Sequence, residues 1–161
     1  MNLYEPTAES LSAKDNVGHL LKFASACLSR KADQAVAPLG LTAIQWRPLV
    51  ILRYTQINTP AELARIVTVD TGAMTRTLDR LEAKGFITRQ RCQEDRRVVL
   101  LTLTPLGHDA AEKILPIISN TLNTHLKGFS KPETSQLIGF LRRIIIINSG
   151  HDPDSCSLGE H

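Results

Sequence analysis

Apolar residues recur at helical spacing along most of the chain. In residues 15–37, for example, Val17, Leu21 and Leu28 fall on one face of a helix with 3.6 residues per turn. Two shorter stretches have the aliphatic and β-branched character of strands, and a charged turn of residues 93–97 separates them. The pattern predicts helices over residues 15–37, 42–54, 60–67, 70–84, 105–127 and 131–147, and strands over residues 86–91 and 98–103.

Capping residues mark the starts of the predicted helices. In a capping box, Ser or Thr stands three residues before Glu or Gln, and each side chain satisfies a free backbone amide of the other residue. Such boxes occur at Thr42–Gln45, Thr59–Glu62 and Ser130–Glu133. Asp70 is a candidate cap for the fourth helix, and Gly85 is typical of a C-terminal stop. These signals support the boundaries that the apolar pattern predicts.

The last predicted helix is apolar on several sides. Leu137, Leu141 and Ile144 form one face, whereas Phe140 and Ile147 lie off it. A helix of this kind usually packs against a further surface, such as a partner chain. We therefore expect a mainly α-helical protein with a small β-hairpin wing. Four parts are expected. They are a flexible N-terminal arm over residues 1–14, a helical dimerisation region over 15–38 and 105–147, a central lobe over 39–104 that contains the shorter helices and the hairpin, and a disordered tail over 148–161.

The distribution of charge is more informative than its total. The 161 residues carry a net charge of +3, which identifies no partner by itself. Residues 71–97 hold seven Lys and Arg against four Asp and Glu, an excess of three that equals the excess of the whole chain. The sequence begins without a secretory signal, and no apolar run approaches the roughly 18 residues of a membrane span. We therefore expect a cytoplasmic protein that does not contact membranes.

Cysteines and catalytic motifs restrict the chemistry further. Cys27, Cys92 and Cys156 are widely separated, and an odd number without close spacing is typical of a reducing compartment. Because no CxxC motif or Cys/His cluster occurs, we expect no metal site and no cofactor. The sequence also contains no GxSxG, Walker or HExxH motif. We therefore do not expect an enzyme.

The order of the predicted elements indicates DNA binding. A short helix over residues 60–67, a turn, a helix over 70–84 and a basic hairpin form a winged helix-turn-helix, whose second helix enters the major groove. Hydroxyl and guanidinium groups on that helix suit contacts to phosphates and base edges. The candidate contacts are Thr71, Thr75, Arg76, Thr77 and Arg80. Taken alone, the two arginines would also fit an ordinary solvated helix face.

The tip of the predicted hairpin carries Asp95, Arg96 and Arg97. An arginine on a protruding β-turn has the shape to enter a narrow minor groove. A carboxylate two residues earlier could hold Arg97 in position. A winged helix that binds a protein partner is the alternative, although it would not need this array of arginines.

Four segments resemble the multiple antibiotic resistance regulator (MarR) family. They are Leu41–Trp46, Glu62–Ala64, Thr75–Gly85 and, most specifically, Glu94–Gly107. The flanking helices also fit the family plan, so the resemblance covers nearly all of residues 15–147.

The resemblance implies a specific mode of DNA binding. It implies an obligate homodimer with intertwined terminal helices, and recognition helices spaced for a palindromic operator in double-stranded DNA. It assigns Asp95 and Arg97 as the wing pair, with Arg97 in the minor groove. Family members are mostly repressors that are released by small aromatic acids or phenolic compounds.

The resemblance also gives candidates for an effector site. Family ligands usually lie where the dimer helices meet the DNA-binding lobes, and by position His19, Lys22, Trp46 and Arg47 would face such a cleft. Arg47 could hold a carboxylate in a bidentate pair, and Trp46 could stack on a ring. Alternatively, Trp46 belongs to the core and Arg47 forms a surface or interdomain ion pair.

An oxidant-sensing repressor of the same fold is a further alternative. The oxidant-sensing branch of the family has its cysteine early in the first helix, and alignment by Arg30 places Lys22 at that position. Cys27 falls on the apolar stripe, as expected of a small packing residue. Cys92 stands beside Arg91 at the wing, and a nearby cation is the kind of setting that activates a thiol.

Overall fold

The computed structural model describes residues 3–12 and 14–149. Within these residues the chain forms helices α1 (Val17–Val36), α2 (Ala43–Tyr54), α3 (Pro60–Val67), α4 (Thr71–Ala83), α5 (Pro105–His125) and α6 (Lys131–Ser149), with strands β1 (Ile87–Arg91) and β2 (Val99–Leu103) between α4 and α5. A 3-10 turn, Ala37–Leu39, follows α1. The predicted mainly α-helical fold with a hairpin wing is confirmed, and each boundary lies within about two residues of its expected position.

The predicted caps are present at the helix starts. At α6, Glu133 Oε2 accepts from the Ser130 amide at 2.7 Å while Ser130 Oγ accepts from the Glu133 amide at 3.4 Å. The hydrogen bonds from the Ser130 hydroxyl and amide lower the pKa of Glu133 below its usual value. At α3, Thr59 Oγ1 accepts from the Glu62 amide at 3.4 Å but donates to the Glu62 carboxylate at 2.6 Å. Of these two boxes, only the one at α6 is reciprocal. The box at the start of α2 is also present, and there the Gln45 side chain accepts from the Thr42 amide at 3.2 Å.

A single apolar core holds the lobe together. It joins α2, α3, α4 and the hairpin to the first turns of α5, and its largest fully buried side chains include Leu49, Leu63, Met74, Leu78 and Ile87. The two strands are antiparallel, with Ile87 opposite Leu103 at the base of the hairpin. The Leu101 amide donates to the Asn58 carbonyl at 2.8 Å, which ties β2 to the segment between α2 and α3. The wing is therefore anchored at its base by core residues.

Lys84 ties the end of α4 to the start of α2. Its Nζ donates to the Gly40 carbonyl at 2.6 Å and to Gln45 Oε1 at 3.0 Å. Gln45 is buried, and its Oε1 also accepts from the Thr42 amide at 3.2 Å. Gly40 has a φ of 72°, a conformation that glycine adopts without steric cost. The C-terminal end of α4 is therefore fixed against the connection between α1 and α2.

The hairpin closes on α5 through a close backbone contact. A Cβ atom at Gly107 would lie 2.0 Å from the Phe86 carbonyl oxygen, so no larger residue fits there without a backbone shift. The Thr104 hydroxyl donates to the Gly85 carbonyl at 2.6 Å and accepts from the Gly107 amide at 3.1 Å. Gly85 has a φ of 78°, which suits its predicted role as the stop after α4. Both ends of the hairpin thus meet at the start of α5.

The terminal helices leave their apolar residues open within one chain. α1 packs against α2 and α5 but buries only Val36, so its predicted apolar face is not covered. α6 has no buried residue among the side chains that the structure describes. The exposed apolar residues of α1, α6 and the preceding turn include Val17, Leu20, Phe23, Phe129, Leu137, Ile138, Phe140, Ile146 and Ile147.

The two ends of the chain differ in part from the sequence expectations. The Tyr4 hydroxyl donates to the Asp15 carbonyl at 3.0 Å and accepts from the Val17 amide at 2.9 Å, so the N-terminal segment contacts the start of α1. Its flexibility stays a prediction. α6 includes residues 148–149, which were expected in the tail, and the rest of that predicted tail lies outside the described residues.

None of the described helices alone combines the length and hydropathy of a membrane span. The stretch Val17–Leu39 and α2 reach that threshold only as a pair, across a bend of 72°.

Candidate nucleic-acid interface

The turn between α3 and α4 sets up a helix-turn-helix. The residue that caps the C-terminus of α3 is Thr68, which has a φ of 57° in the left-handed region that β-branched residues rarely adopt. Asp70 then caps α4, since its Oδ1 accepts from the Ala73 amide at 2.8 Å. α4 buries Met74, Leu78 and Leu81 against the core, as predicted. Its opposite side is therefore the surface that a DNA groove would meet.

Four of the five predicted contacts on α4 lie on this outer surface. They are Thr71, Thr75, Arg76 and Arg80, and all four are exposed. The Thr75 hydroxyl donates to the Thr71 carbonyl at 2.8 Å, so a contact to a base edge would use its lone pairs or a rotated hydroxyl. Among the described residues neither arginine has an ion-pair partner, and both guanidinium groups are therefore available to phosphates or bases.

Thr77 does not belong to this surface, and its prediction as a DNA contact is wrong. The side chain lies on the buried side of α4, with only 4% of the residue exposed. Its hydroxyl donates to the Ala73 carbonyl at 2.9 Å, which satisfies the buried donor within the helix itself. Helical spacing gave a signal for this, because Thr77 directly adjoins Leu78 and lies one turn from Met74 and Leu81.

The wing tip presents three exposed polar side chains beyond the hairpin. Asp95, Arg96 and Arg97 are all exposed. Asp95 Oδ1 accepts from the Arg97 backbone amide at 2.9 Å. The acidic residue therefore orders the turn that carries Arg97, and it does not hold the guanidinium group directly. No ion pair of the Arg97 side chain is found within residues 3–12 and 14–149, and the side chain is exposed.

Arg89 lies between the wing and α4, and no role was predicted for it from the sequence. It lies on β1, two residues after the buried Ile87 and on the same face of the strand. Its Nη1 donates to Asp79 Oδ1 on α4 at 2.6 Å and lies 3.4 Å from Glu82 Oε2. The alternation of the strand and the acidic residues on α4 were the available signals, but their meeting depends on the turn at Gly85.

A cavity of about 410 Å³ lies between α1, α2, α5 and the end of α3. Trp46 and Arg47 line it, together with Ser25 and Ser29 of α1 and Thr121 of α5. The Arg47 guanidinium carbon lies 5.6 Å from the centroid of the Trp46 ring. Trp46 also packs against the core, so the core and cleft interpretations both apply to it.

The other two effector candidates lie elsewhere on α1. His19 and Lys22 are exposed and do not line this cavity. The His19 ring instead stacks on Phe23 with a centroid distance of 6.4 Å. Within one chain, the structure therefore brings together Trp46 and Arg47 but not all four candidates.

The cysteines and potential metal ligands form no further site in the described part of the chain. Cys27 and Cys92 are unpaired and half-buried, whereas Cys156 lies outside the described residues. Over residues 3–12 and 14–149, no group of three His, Cys, Asp or Glu side chains is arranged to hold a metal ion.

The lobe and its flanking helices match known proteins. The MarR family model matches residues 41–99. Multiple antibiotic resistance protein MarR from Escherichia coli is 32% identical over 130 residues, which cover 80% of this chain and 90% of that protein.

Solved structures give the same match in three dimensions. A mutant MarR from E. coli complexed with operator DNA has a TM-score of 0.75 and 30% identity, covering 80% of this chain and 93% of that one. The Bordetella bronchiseptica protein BpsR, whose DNA binding is regulated by 6-hydroxynicotinic acid, has a TM-score of 0.75 and 26% identity, covering 81% and 94%.

Proposed function

Because this chain belongs to the MarR family of transcriptional regulators, we propose that it is a homodimeric repressor of a palindromic operator. A small aromatic acid or phenolic compound releases it from the DNA. The observation that carries the DNA-binding part is the position of three exposed arginines on two neighbouring elements of one lobe: Arg76 and Arg80 on α4, and Arg97 at the wing tip. None of the three has an ion pair among the described residues.

The two elements suit different grooves of the same duplex. α4 presents hydroxyl and guanidinium groups that can read base edges in the major groove. The hairpin places Arg97 beyond the end of β1, where it can enter the adjacent minor groove. The complex of the related E. coli protein with operator DNA supports the same use of this fold.

The homodimer is proposed from the exposed apolar residues of the terminal helices. Phe23 on α1 and Phe140 on α6 are 60% and 49% exposed within the single chain. Apolar surface of this extent usually marks an interface. A second copy would cover both helices and would place two α4 helices for a two-fold symmetric site.

The cavity beside Arg47 is the proposed effector site. It is lined mainly by apolar side chains, with the Trp46 ring on one side, and Arg47 supplies a positive charge at its edge. No ion pair of Arg47 is found within the described residues, so its guanidinium can donate hydrogen bonds to a carboxylate. The regulation of BpsR by an aromatic acid supports this ligand class.

The DNA-binding proposal is tested by the salt dependence of binding. The probe is a duplex that the protein itself selects from a random-sequence pool, titrated at about 50 and 200 mM salt. Arg97→Ala should weaken binding and reduce the slope of log K against log salt by about one unit, because one cation that displaces counterions from the DNA is lost. Arg30→Ala, on α1 and far from α4 in sequence, is the control. A slope that Arg97→Ala leaves unchanged would contradict the wing assignment.

The effector proposal is tested with the same complex. A panel of aromatic carboxylates that includes 6-hydroxynicotinic acid is added to the bound duplex, and each acid is paired with its uncharged amide. At least one acid should release the wild-type protein, whereas Arg47→Met should still bind DNA but resist release. Equal release of Arg47→Met by the acid would contradict the carboxylate contact. Release by oxidant alone, abolished by alkylation of the thiols, would favour the cysteine-based alternative.

A further inference from the structure

Arg89 holds the wing against the recognition helix. It lies at the middle of β1, opposite the buried Leu101 on β2, and its side chain crosses to α4. There its guanidinium meets groups on two successive turns: Asp79 Oδ1 at 2.6 Å, Glu82 Oε2 at 3.4 Å and the Thr75 carbonyl oxygen at 3.5 Å. Residues separated by four and three positions lie along one stripe of a helix, so Arg89 spans the side of α4.

The positive charge of Arg89 is paired with carboxylates of the same chain. Its side chain is 26% exposed, less than the 54% of Asp79 and the 41% of Glu82, so the cation is the inner member of the cluster. Asp79 and Glu82 would otherwise present two negative charges beside the DNA-facing surface of α4. By contrast, Arg91 lies on the same face of β1 and is exposed, and no ion pair of Arg91 is found in the described part of the chain.

We propose that Arg89 is a positioning residue for operator recognition: it sets the angle between α4 and the wing, so that the major-groove and minor-groove contacts are made together. Arg89 itself does not touch DNA. A planar guanidinium suits this role because it can engage a carboxylate and further acceptors at the same time, which an ammonium group cannot do in the same geometry. The inference rests on the proposed DNA-binding function.

The proposal concerns specificity, so the measured quantity is the ratio of the affinity for a specific duplex to the affinity for a non-specific duplex. Binding is measured for the selected duplex and for a scrambled duplex of the same composition, with one preparation of each variant. An unfolded fraction lowers both apparent affinities equally and leaves their ratio unchanged. A change in long-range charge also acts on both duplexes. A wrong angle between α4 and the wing instead weakens only the selected duplex.

Two variants of opposite charge separate geometry from electrostatics. Arg89→Met removes the cation, and the double variant Asp79→Asn/Glu82→Gln removes its partners while it raises the net charge by two. Both should lower the ratio about tenfold, comparable with the loss of one base contact. The double variant should do so although its affinity for scrambled DNA rises. Arg91→Met is the matched control and should leave the ratio unchanged.

Two outcomes would overturn the proposal. An unchanged ratio in both Arg89→Met and the double variant would show that the ion pairs do not set the angle. A fall in the salt slope of about one unit with Arg89→Met, and with equal losses on both duplexes, would make Arg89 a phosphate contact instead. Arg89→Lys should keep part of the ratio, since its single ammonium can still pair with Asp79. If the wild-type protein selects no duplex over scrambled DNA, the proposed DNA-binding function itself fails.

Discussion

The lobe (residues 39–104) and helix α6 contain similar proportions of apolar residues. The lobe buries many of these side chains within the chain, whereas α6 leaves them at least partly exposed. In the lobe, side chains such as Leu63 and Leu78 are fully buried by other elements of the same chain. In α6, Phe140 is 49% exposed and Ile147 is 78% exposed, and no described side chain of this helix is buried. The apolar pattern therefore predicts that a surface is buried, but it does not indicate whether the same chain or a partner chain buries it.

Truncation of one side chain in each region tests this difference, and the variant in the lobe should give the largest loss of stability. Leu78→Ala removes a fully buried side chain and should cost about 2–5 kcal/mol of unfolding free energy at any protein concentration. Phe140→Ala should cost little in the lobe, but it should make the unfolding temperature depend more steeply on protein concentration, because it weakens the proposed dimer. Thermal unfolding at two concentrations measures both. A concentration-independent loss for Phe140→Ala would indicate that α6 is covered within its own chain.

A second pair of variants adds a methyl group in each region. Gly107→Ala would place a Cβ 2.0 Å from the Phe86 carbonyl oxygen and should destabilise the protein by about 2–3 kcal/mol. Gly139→Ala on α6 meets no atom within 4 Å and should change stability by less than about 1 kcal/mol. Urea denaturation compares the two. A large loss of stability for Gly139→Ala would instead indicate that the proposed partner chain packs against this residue.

A smaller effect is expected at the turn of the helix-turn-helix. Thr68 has a φ of 57°, where a β-branched residue is strained and glycine is not. Thr68→Gly should therefore raise the unfolding free energy by up to about 1 kcal/mol, although the greater freedom of glycine in the unfolded chain offsets part of the gain. The denaturation midpoint measures the change, with Thr71→Gly at the start of α4 as a destabilising control. A loss with Thr68→Gly would mean that the threonine side chain stabilises the turn by more than the strain costs.

The smallest effect is a pH dependence at the start of α6. The pKa of Glu133 is lowered by its hydrogen bonds with Ser130, so the carboxylate form stabilises the cap. This contribution is fully present above the ordinary pKa of 4.5 and is lost as the pH falls through the lowered value. The protection of the Ser130 amide against exchange, relative to an unstructured peptide at the same pH, should fall over that acidic range, and Glu133→Gln should abolish the transition. Protection that stays constant over this range would contradict the cap.

Local signals account for most of what the sequence could predict. Helix starts followed from caps such as Asp70 and Ser130, and the core of α4 followed from the spacing of Met74, Leu78 and Leu81. Each of these depends on residues within one or two turns of each other. The exposed candidates for DNA contact on α4 were predicted as the complement of that core.

Contacts across elements could not be predicted in the same way. Thr77 was assigned outward because a hydroxyl is polar, yet its donor is satisfied by the Ala73 carbonyl and the methyl group can be buried. The pairing of Arg89 with Asp79 requires the chain to reverse at Gly85 before β1 begins. The cavity beside Arg47 likewise depends on how α1 and α5 pack, which no segment specifies alone.

The closure of the hairpin at its base has a consequence for how the wing can change in length. Thr104 and Gly107 lock the hairpin to α5 at Phe86, whereas turn residues 93–97 are all exposed. Each doubling of a flexible loop costs only about 0.6 kcal/mol of closure entropy, so residues can be inserted at the tip at small cost to folding. The reach of Arg97 can therefore be changed by insertion or deletion in this turn, while the hydrophobic core and α4 keep their sequence.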